Sequence, residues 1–179
     1  MHVTKLILIA VLLASTLFAA GPRGAAADPL PSVEVIATDG LLGVRIHTVP
    51  IGRFLTVDAG LSFLDIAFLD GARSLPATRY DVYIGTILPD GRFVSWTGDP
   101  RGATFATDTR PVPLLANILP ATTAQYFQRH IPVTAADPLG WRVLYALAVR
   151  AGADPLDPRE WSGWNATSFF PVLVVPPAQ

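Results

Sequence analysis

The chain has 179 residues, of which 51% are hydrophobic and 15% charged, and it contains 17 prolines, 14 glycines and no cysteine. A formal net charge of −1 argues against nucleic acid as a partner, because nucleic-acid-binding domains carry clustered positive charge. The lack of cysteine excludes a disulfide framework, so the stability of the fold has to come from a hydrophobic core.

The N-terminal segment, residues 1–27, has the composition of a signal peptide. Lys5 supplies a positive charge, residues 6–20 are uncharged and mostly apolar, and a run of alanines ends at Ala27. The apolar run of about 15 residues is shorter than the roughly 20 that a membrane-spanning helix needs. We therefore predict cleavage after Ala27 and secretion to the periplasm or the cell exterior. Cleavage after Ala20 and an uncleaved membrane anchor are the alternatives.

The predicted mature chain, residues 28–179, retains eleven arginines and fourteen acidic residues, which gives a formal charge of −3. Its length of about 150 residues suits a single domain with its own core. Arginine as the only cation, together with abundant alanine, proline and glycine, is typical of a bacterial chain from a GC-rich genome. The scattered prolines and glycines divide the domain into short segments, and this pattern predicts an all-β sandwich or barrel.

Short segments rich in β-branched, aromatic or alternating residues predict about seven to nine paired strands. These segments are residues 33–37, 41–49, 53–58, 61–69, 80–88, 92–97, 113–118, 126–133, 141–150 and 166–175, the weaker of them 53–58 and 113–118. Residues 80–88 and 92–97 form a hairpin around the turn Pro89–Gly91, in which Gly91 is free to adopt a positive φ. The aromatic residues of this hairpin are ordinary core material, with an aromatic ligand platform as the alternative.

The segment 141–150 is the longest regular strand that the sequence predicts. Its apolar residues alternate between two faces and its arginines lie near the ends, which is typical of a buried strand. A helix is the alternative, because alanine and leucine favour helices. After this strand, Asp154 and Asp157 each precede a proline, and this pattern predicts one short helical turn over residues 155–161.

The order of these segments resembles the small immunoglobulin-like β-sandwich modules of secreted bacterial proteins. Asp81–Tyr83 followed by the Pro89–Gly91 turn matches one motif of these modules, and the glycine-led strand at residues 140–145 matches another. The resemblance extends over roughly residues 33–175. It implies an immunoglobulin-like antiparallel sandwich that is generally non-catalytic, and it supplies no functional residues.

Residues that carry catalytic chemistry are sparse in the mature chain. His47 and His130 are the two histidines that remain, and Gly60–Leu64 does not fit the Gly-x-Ser-x-Gly nucleophile motif. A spatial Ser-His-Asp set stays open, because such sets are recognised by geometry rather than by sequence. We expect no catalytic residue, no bound cofactor and no metal; a calcium site at Asp154 and Asp157 is the alternative, because calcium takes oxygen ligands.

Two of the four tryptophans, Trp161 and Trp164, lie in a predicted loop. Exposed tryptophan rings suit a sugar or a protein partner, so Trp161, Trp164, Asp154 and Asp157 form the candidate ligand site. The alternative is that both rings cover the end of the sandwich core.

These patterns predict a secreted, non-enzymatic β-sandwich module that acts in binding or architecture at the cell surface or in the periplasm. Its partner would be a protein or another envelope component. A lectin-like module that binds carbohydrate or lipid is the first alternative, and it requires at least two exposed tryptophans close together. A small hydrolase with a nonstandard site is the second.

Overall fold

The computed structural model describes residues 30–39, 43–64, 78–98, 104–120, 124–161 and 165–177. The predicted signal peptide lies outside these ranges, and so does Trp164. The export signal, its cleavage site and the domain limits therefore stay predictions.

The described residues form ten β-strands and one three-residue 3₁₀ turn, Pro158–Glu160. The strands are β1 Leu30–Thr38, β2 Thr48–Pro50, β3 Phe54–Leu64, β4 Tyr80–Ile87, β5 Phe93–Thr97, β6 Thr104–Asp108, β7 Leu115–Ile118, β8 Gln125–Pro132, β9 Gly140–Arg150 and β10 Thr167–Val175. The prediction of an all-β sandwich with at most one short helical turn is confirmed.

The strands form two sheets that lie face to face. The small sheet has the order β1-β3-β8, and the large sheet has the order β2-β10-β9-β4-β5-β6. β7 pairs with the first residues of β4, and β5 pairs with its last residues. All of these pairings are antiparallel except the short one between β2 and β10.

The main core lies between the inner faces of the two sheets. Every second residue of the central strands points into it, as the period of two predicts for a strand. The largest contributions come from Val35, Leu55, Val57, Leu61, Val82, Ile84, Leu144, Phe170 and Val172. This alternation in β9 rules out the helical alternative for residues 141–150.

A second, smaller core covers part of the outer face of the large sheet. Its buried members are Tyr83, Tyr145, Leu147 and Val149, and Trp161 packs against them from the loop after β9. β4 and β9 are therefore buried on both faces, which explains why the sequence of β9 is apolar at every position from Val143 to Val149.

A buried polar network ties β4, β5 and β9 together. The hydroxyls of Ser95 and Tyr145 are 2.8 Å apart, and Ser95 Oγ also accepts the backbone N–H of Val112 at 2.9 Å. Gly85 leaves room for this network, because a β-carbon there would lie 2.7 Å from Tyr145 Oη. The glycine in the strand is thus required by close packing and not by a turn.

The buried carboxylate of Asp81 bonds the short strand β7 and the loop after β9 to β4. Its two oxygens accept the backbone N–H groups of Asn117 at 2.7 Å and Gly152 at 2.9 Å. Both donors have a positive φ, 56° for Asn117 and 79° for Gly152. A carboxylate that accepts backbone N–H groups stabilises turns of this kind. The aspartate of the Asp81–Tyr83 motif therefore has a structural role.

The two sheets are also joined along one side by the first and last parts of the fold. The backbone N–H of Val33 donates to the carbonyl of Asn165 at 2.8 Å, and that of Val35 donates to Ser168 Oγ at 3.0 Å. The edge of β1 that faces away from β3 is thereby bonded to Asn165, just before β10, and to Ser168 at the start of β10.

Candidate binding face

The predicted ligand loop is packed against the protein in its described part. The indole N–H of Trp161 donates to the carbonyl of Pro155 at 3.1 Å, and its ring centroid lies 6.0 Å from that of Phe169. Trp161 is partly buried in the second core. These contacts agree with the alternative in which the tryptophan covers the core, while the proposed ligand site, which includes Trp164, stays a prediction.

The two aspartates of this loop stabilise its turns. Asp154 accepts the backbone N–H of Leu156 at 2.9 Å and a hydrogen bond from Arg110, and these contacts hold the pKa of its carboxyl below the ordinary value. Asp157 accepts the backbone N–H of Arg159 at 3.0 Å and caps the 3₁₀ turn. Within the described ranges, no group of three or more residues is arranged to hold a metal ion, and the calcium alternative is untested.

The histidines of the described chain lie apart, His47 just before β2 of the large sheet and His130 on β8 of the small sheet. His47 stacks on Phe170 with ring centroids 4.5 Å apart, and its Nδ1 is 3.1 Å from the carbonyl oxygen of Pro171. His130 lies on β8, where its Nδ1 is 2.8 Å from Thr56 Oγ1. The chain therefore does not bring the two together as ligands of one metal.

A shallow trough runs along the outer face of the small sheet, with β3 as its floor. The floor consists of small residues on alternate positions of β3, namely Thr56, Asp58, Gly60 and Ser62. Longer side chains on β8 form one wall: Tyr126 is paired with Gly60, Gln128 with Asp58 and His130 with Thr56. We call these seven residues the trough. A β-carbon added at Gly60 meets no atom within 4 Å, so the trough is open at this point.

Asp58 is the centre of a hydrogen-bond network in the trough. Its side chain accepts hydrogen bonds from Thr38 Oγ1 at 2.9 Å, from Gln128 Nε2 at 2.8 Å and from the hydroxyl of Tyr126. The residue is 7% exposed, whereas Tyr126 above it is 67% exposed. A buried carboxylate on the outside of a sheet is thus satisfied entirely by side chains, as a buried charge has to be.

The network shifts the pKa values of both of its acidic groups. Burial raises the pKa of Asp58, but the three hydrogen bonds outweigh it, so the carboxyl titrates below its ordinary pKa of 3.8. The hydrogen bond to Asp58 raises the pKa of Tyr126 to about 12. At neutral pH the pair is therefore a carboxylate that accepts a hydrogen bond from a neutral phenol.

The lowered pKa of Asp58 predicts an acid-dependent difference between the wild type and Asp58→Asn. The stabilisation from ionised Asp58 is complete above its ordinary pKa of 3.8 and is lost as pH falls through the lower folded-state value. Urea unfolding of both proteins between about pH 6 and about pH 3 measures this difference. We expect the free energies of unfolding to differ most at the higher pH and to converge at the lower one; a difference that is constant with pH would contradict the assignment.

Thr56 and His130 have the spacing of a nucleophile and its base, but the contacts among the described residues give the imidazole no acid that orients it. Thr56 is 1% exposed, so its hydroxyl is shielded from a substrate. The acid nearest to them, Asp58, bonds to three other side chains and not to the imidazole that a triad acid would orient. The pair therefore belongs to the structure of the trough.

Sequence analysis did not identify the trough. Its floor and wall come from β3 and β8, which are far apart in the chain, and their alignment depends on register. The available signal was Asp58 itself, a carboxylate within the weakly predicted strand 53–58, since a charged residue in a strand needs a partner.

Comparison with known proteins adds little to this description. Neither a protein-family model nor a curated protein matches the chain. Within the ranges that the structure describes, no helix has the length and apolar character to cross a membrane.

Three solved structures match the chain at low similarity. The chain is 14% identical to the CARDB domain of a Pyrococcus furiosus protein in complex with di-metal ions, with a TM-score of 0.39 over 87% of this chain and 100% of that one. A solution structure of the same domain is 16% identical, with a TM-score of 0.35 over 83% and 96%. The DNA glycosylase AlkC of Pseudomonas fluorescens, bound to DNA with an abasic site analog, is 13% identical, with a TM-score of 0.31 over 83% of this chain and 32% of that one. Because these TM-scores are low, the assignment to the β-sandwich class rests on the strand pairing itself.

Proposed function

We propose that this chain is a non-enzymatic β-sandwich module that binds a component of the cell surface or the periplasm through the trough on its small sheet. The observation that carries the proposal is the Asp58 network. Three side chains from two neighbouring strands hold one buried carboxylate in place beneath an exposed tyrosine. Side chains locked in this way present a preorganised surface, and preorganisation lowers the entropy lost on binding.

The contrast between the two sheets supports the choice of the trough. The outer face of the large sheet is partly covered by the second core and by the loop that carries Trp161. The trough has large polar and aromatic residues at its surface and a floor of small ones, and its walls are exposed to solvent. Binding surfaces of β-sandwiches combine such a rigid strand scaffold with exposed polar and aromatic groups.

The location at the cell surface or in the periplasm is supported by the N-terminal sequence. Residues 1–27 have the charge, apolar run and small residues of a signal peptide, and the absence of cysteine is compatible with either compartment. The composition of the predicted mature chain, with its net negative charge, argues for a partner other than nucleic acid.

Sedimentation with isolated cell envelopes tests this proposal. We expect the mature chain, residues 28–179, to sediment with the envelope fraction of the producing cell without releasing reducing sugars or peptides from it. Gly60→Gln should abolish the sedimentation, because its side chain fills the open part of the trough. Trp141→Gln is the matched control, since Trp141 is 50% exposed on the outer face of the large sheet and should tolerate the change. Loss of binding in the control alone would place the binding surface on the large sheet.

A further inference from the structure

The shape, chemistry and charge of the trough select one class of envelope component. Resting on the function proposed above, we propose that the trough binds a neutral polysaccharide, with the chain lying along β3 and one sugar ring stacked on Tyr126. The shape of the trough supports a linear chain, its chemistry supports a sugar, and its charge supports a neutral polymer.

The shape of the trough fits a linear chain. Its floor residues follow each other on alternate positions of one strand from Thr56 to Ser62, a distance of about 20 Å at the usual rise per residue. All of them are small, and Gly60 leaves open space in the middle. Thr56 and Asp58 are covered by the side chains above them, at 1% and 7% exposure, so a ligand reaches the floor at Gly60 and Ser62. Over the rest of its length it lies on the exposed side chains of β8.

Tyr126 supplies the apolar surface that sugars require. Its ring is 67% exposed, while its hydroxyl is held by Asp58 below. Because this bond fixes the ring, little side-chain entropy is lost when a ligand stacks on it. The C–H face of a pyranose ring is apolar and matches an aromatic face, whereas the surrounding hydroxyls need hydrogen-bond partners.

Gln128 and His130 supply polar groups next to this ring. Gln128 uses Nε2 to bond Asp58, and its amide oxygen is an acceptor. His130 is exposed and uses Nδ1 for Thr56, so its Nε2 lies on the other side of the ring. A sugar hydroxyl both donates and accepts hydrogen bonds. The amide of Gln128 and the imidazole of His130 together provide a hydrogen-bond donor and an acceptor for it.

The charge of the face excludes anionic polymers. Asp58 is an ionised carboxylate at neutral pH, and Glu34 on the neighbouring β1 is balanced by Arg45 at 3.2 Å. The guanidinium of Arg129 lies over the ring of Trp96, at 5.7 Å from its centroid, and Trp96 belongs to the main core between the sheets. The trough therefore presents a net negative charge, which repels phosphate and uronate polymers and favours neutral ones.

The edge of β8 is poorly suited to the other common ligand of a sheet, an extended peptide. Pro132 ends the strand and has no N–H to donate. The carbonyl of Gln128 already accepts a bond from the guanidinium of Arg129 at 2.9 Å. Both features reduce the backbone hydrogen bonds that an added strand would need.

Selective destruction of envelope components tests whether the ligand is a polysaccharide. The envelope fraction is divided into untreated, periodate-oxidised and protease-digested portions, and the affinity of the mature chain is measured for each. We expect periodate, which cleaves sugar diols, to weaken binding by about tenfold or more, and protease to leave it unchanged. Binding that survives periodate but not protease would overturn the polysaccharide and leave the proposed function standing. Absence of binding to untreated envelopes would overturn both.

Variants of Tyr126 test the stacking. Tyr126→Ala should weaken envelope binding by about tenfold, as the loss of a central aromatic contact does in other interfaces. Tyr126→Phe keeps the ring and loses its bond to Asp58, so a smaller loss is expected. Trp141→Ala, which removes an exposed ring from the large sheet, should bind as the wild type does. Circular dichroism confirms that each variant is folded, and equal binding by Tyr126→Ala and the wild type would exclude the stacked sugar.

Discussion

Gly85→Ala is expected to lower the free energy of unfolding by about 4 kcal/mol, which combines overpacking with the loss of buried hydrogen bonds. The added β-carbon would lie 2.3 Å from the carbonyl oxygen of Val94 and 2.7 Å from Tyr145 Oη. Neither atom is free to move away, because Val94 belongs to the neighbouring strand and the Tyr145 hydroxyl bonds Ser95 inside the sheet. Relief of the clash requires β4 and β5 to separate or the tyrosine to leave its partner.

Urea unfolding of the mature chain measures this effect, with Gly60→Ala as the matched control. Gly60 also lies within a strand, but a β-carbon there meets no atom within 4 Å. The control should therefore change the free energy of unfolding by less than about 1 kcal/mol. Similar losses in the two variants would show that the effect at Gly85 comes from backbone preference and not from packing against Tyr145.

Asp81→Ala is expected to lower the free energy of unfolding by about 3 kcal/mol, because it leaves two backbone N–H groups without their acceptor. The donors belong to Asn117 in β7 and to Gly152 in the loop after β9, and both have positive φ. Without the carboxylate, these two segments have to be held by other contacts, so loss of order is expected at both together.

Unfolding measurements combined with amide hydrogen exchange test this prediction. Exchange should accelerate at Asn117 and Gly152 in Asp81→Ala, because the two N–H groups lose the same acceptor. Asp90→Ala is the control: Asp90 is an exposed acid that bonds the backbone and side chain of Arg92 within one turn. If the two variants unfold at the same urea concentration, Asp81 does not have the role described.

The fold class was predictable because the strands of the core follow a period of two. In β4 and β9 the alternating residues lie on two faces that are both buried, and the sequence shows this as apolar residues on both faces. The Pro89–Gly91 turn was also correctly placed, with Gly91 at a φ of 88°. Strand periodicity and turn formation both depend on residues close together in the chain, so they can be predicted from the sequence.

Other elements were mispredicted because tertiary contacts decide them. The predicted strand 53–58 and the described part of the predicted strand 61–69 belong to one strand, β3, since Gly60 continues the floor of the trough instead of ending a strand. Residues 65–69 of that prediction lie outside the described ranges. Residues 41–49 were predicted as a strand, but regular pairing begins at Thr48, and Arg45 forms only an isolated bridge to Thr38. β6 was missed because it is an exposed edge strand without apolar alternation.

The candidate site was less predictable than the fold. The sequence directed attention to the tryptophan loop, where aromatic residues and two Asp-Pro pairs stand close together in the chain. In the structure, Trp161 packs on the second core. This packing depends on residues distant in the chain, so the sequence around Trp161 does not predict it. The trough depends on the register between β3 and β8, which places Asp58 opposite Gln128 across 70 residues of sequence.

The bonds that join β1 to Asn165 and to the start of β10 connect the first and last strands of the described fold. Val35 reaches Ser168 across 133 residues, so the first strand of the domain acquires its last partners only when nearly the whole domain is present. A topology with such distant contacts folds slowly, because a large loop has to close before the contacts form. β1 can pair with β3 before this point, but its bonds to Asn165 and Ser168 form only once the residues of the last strand are in place.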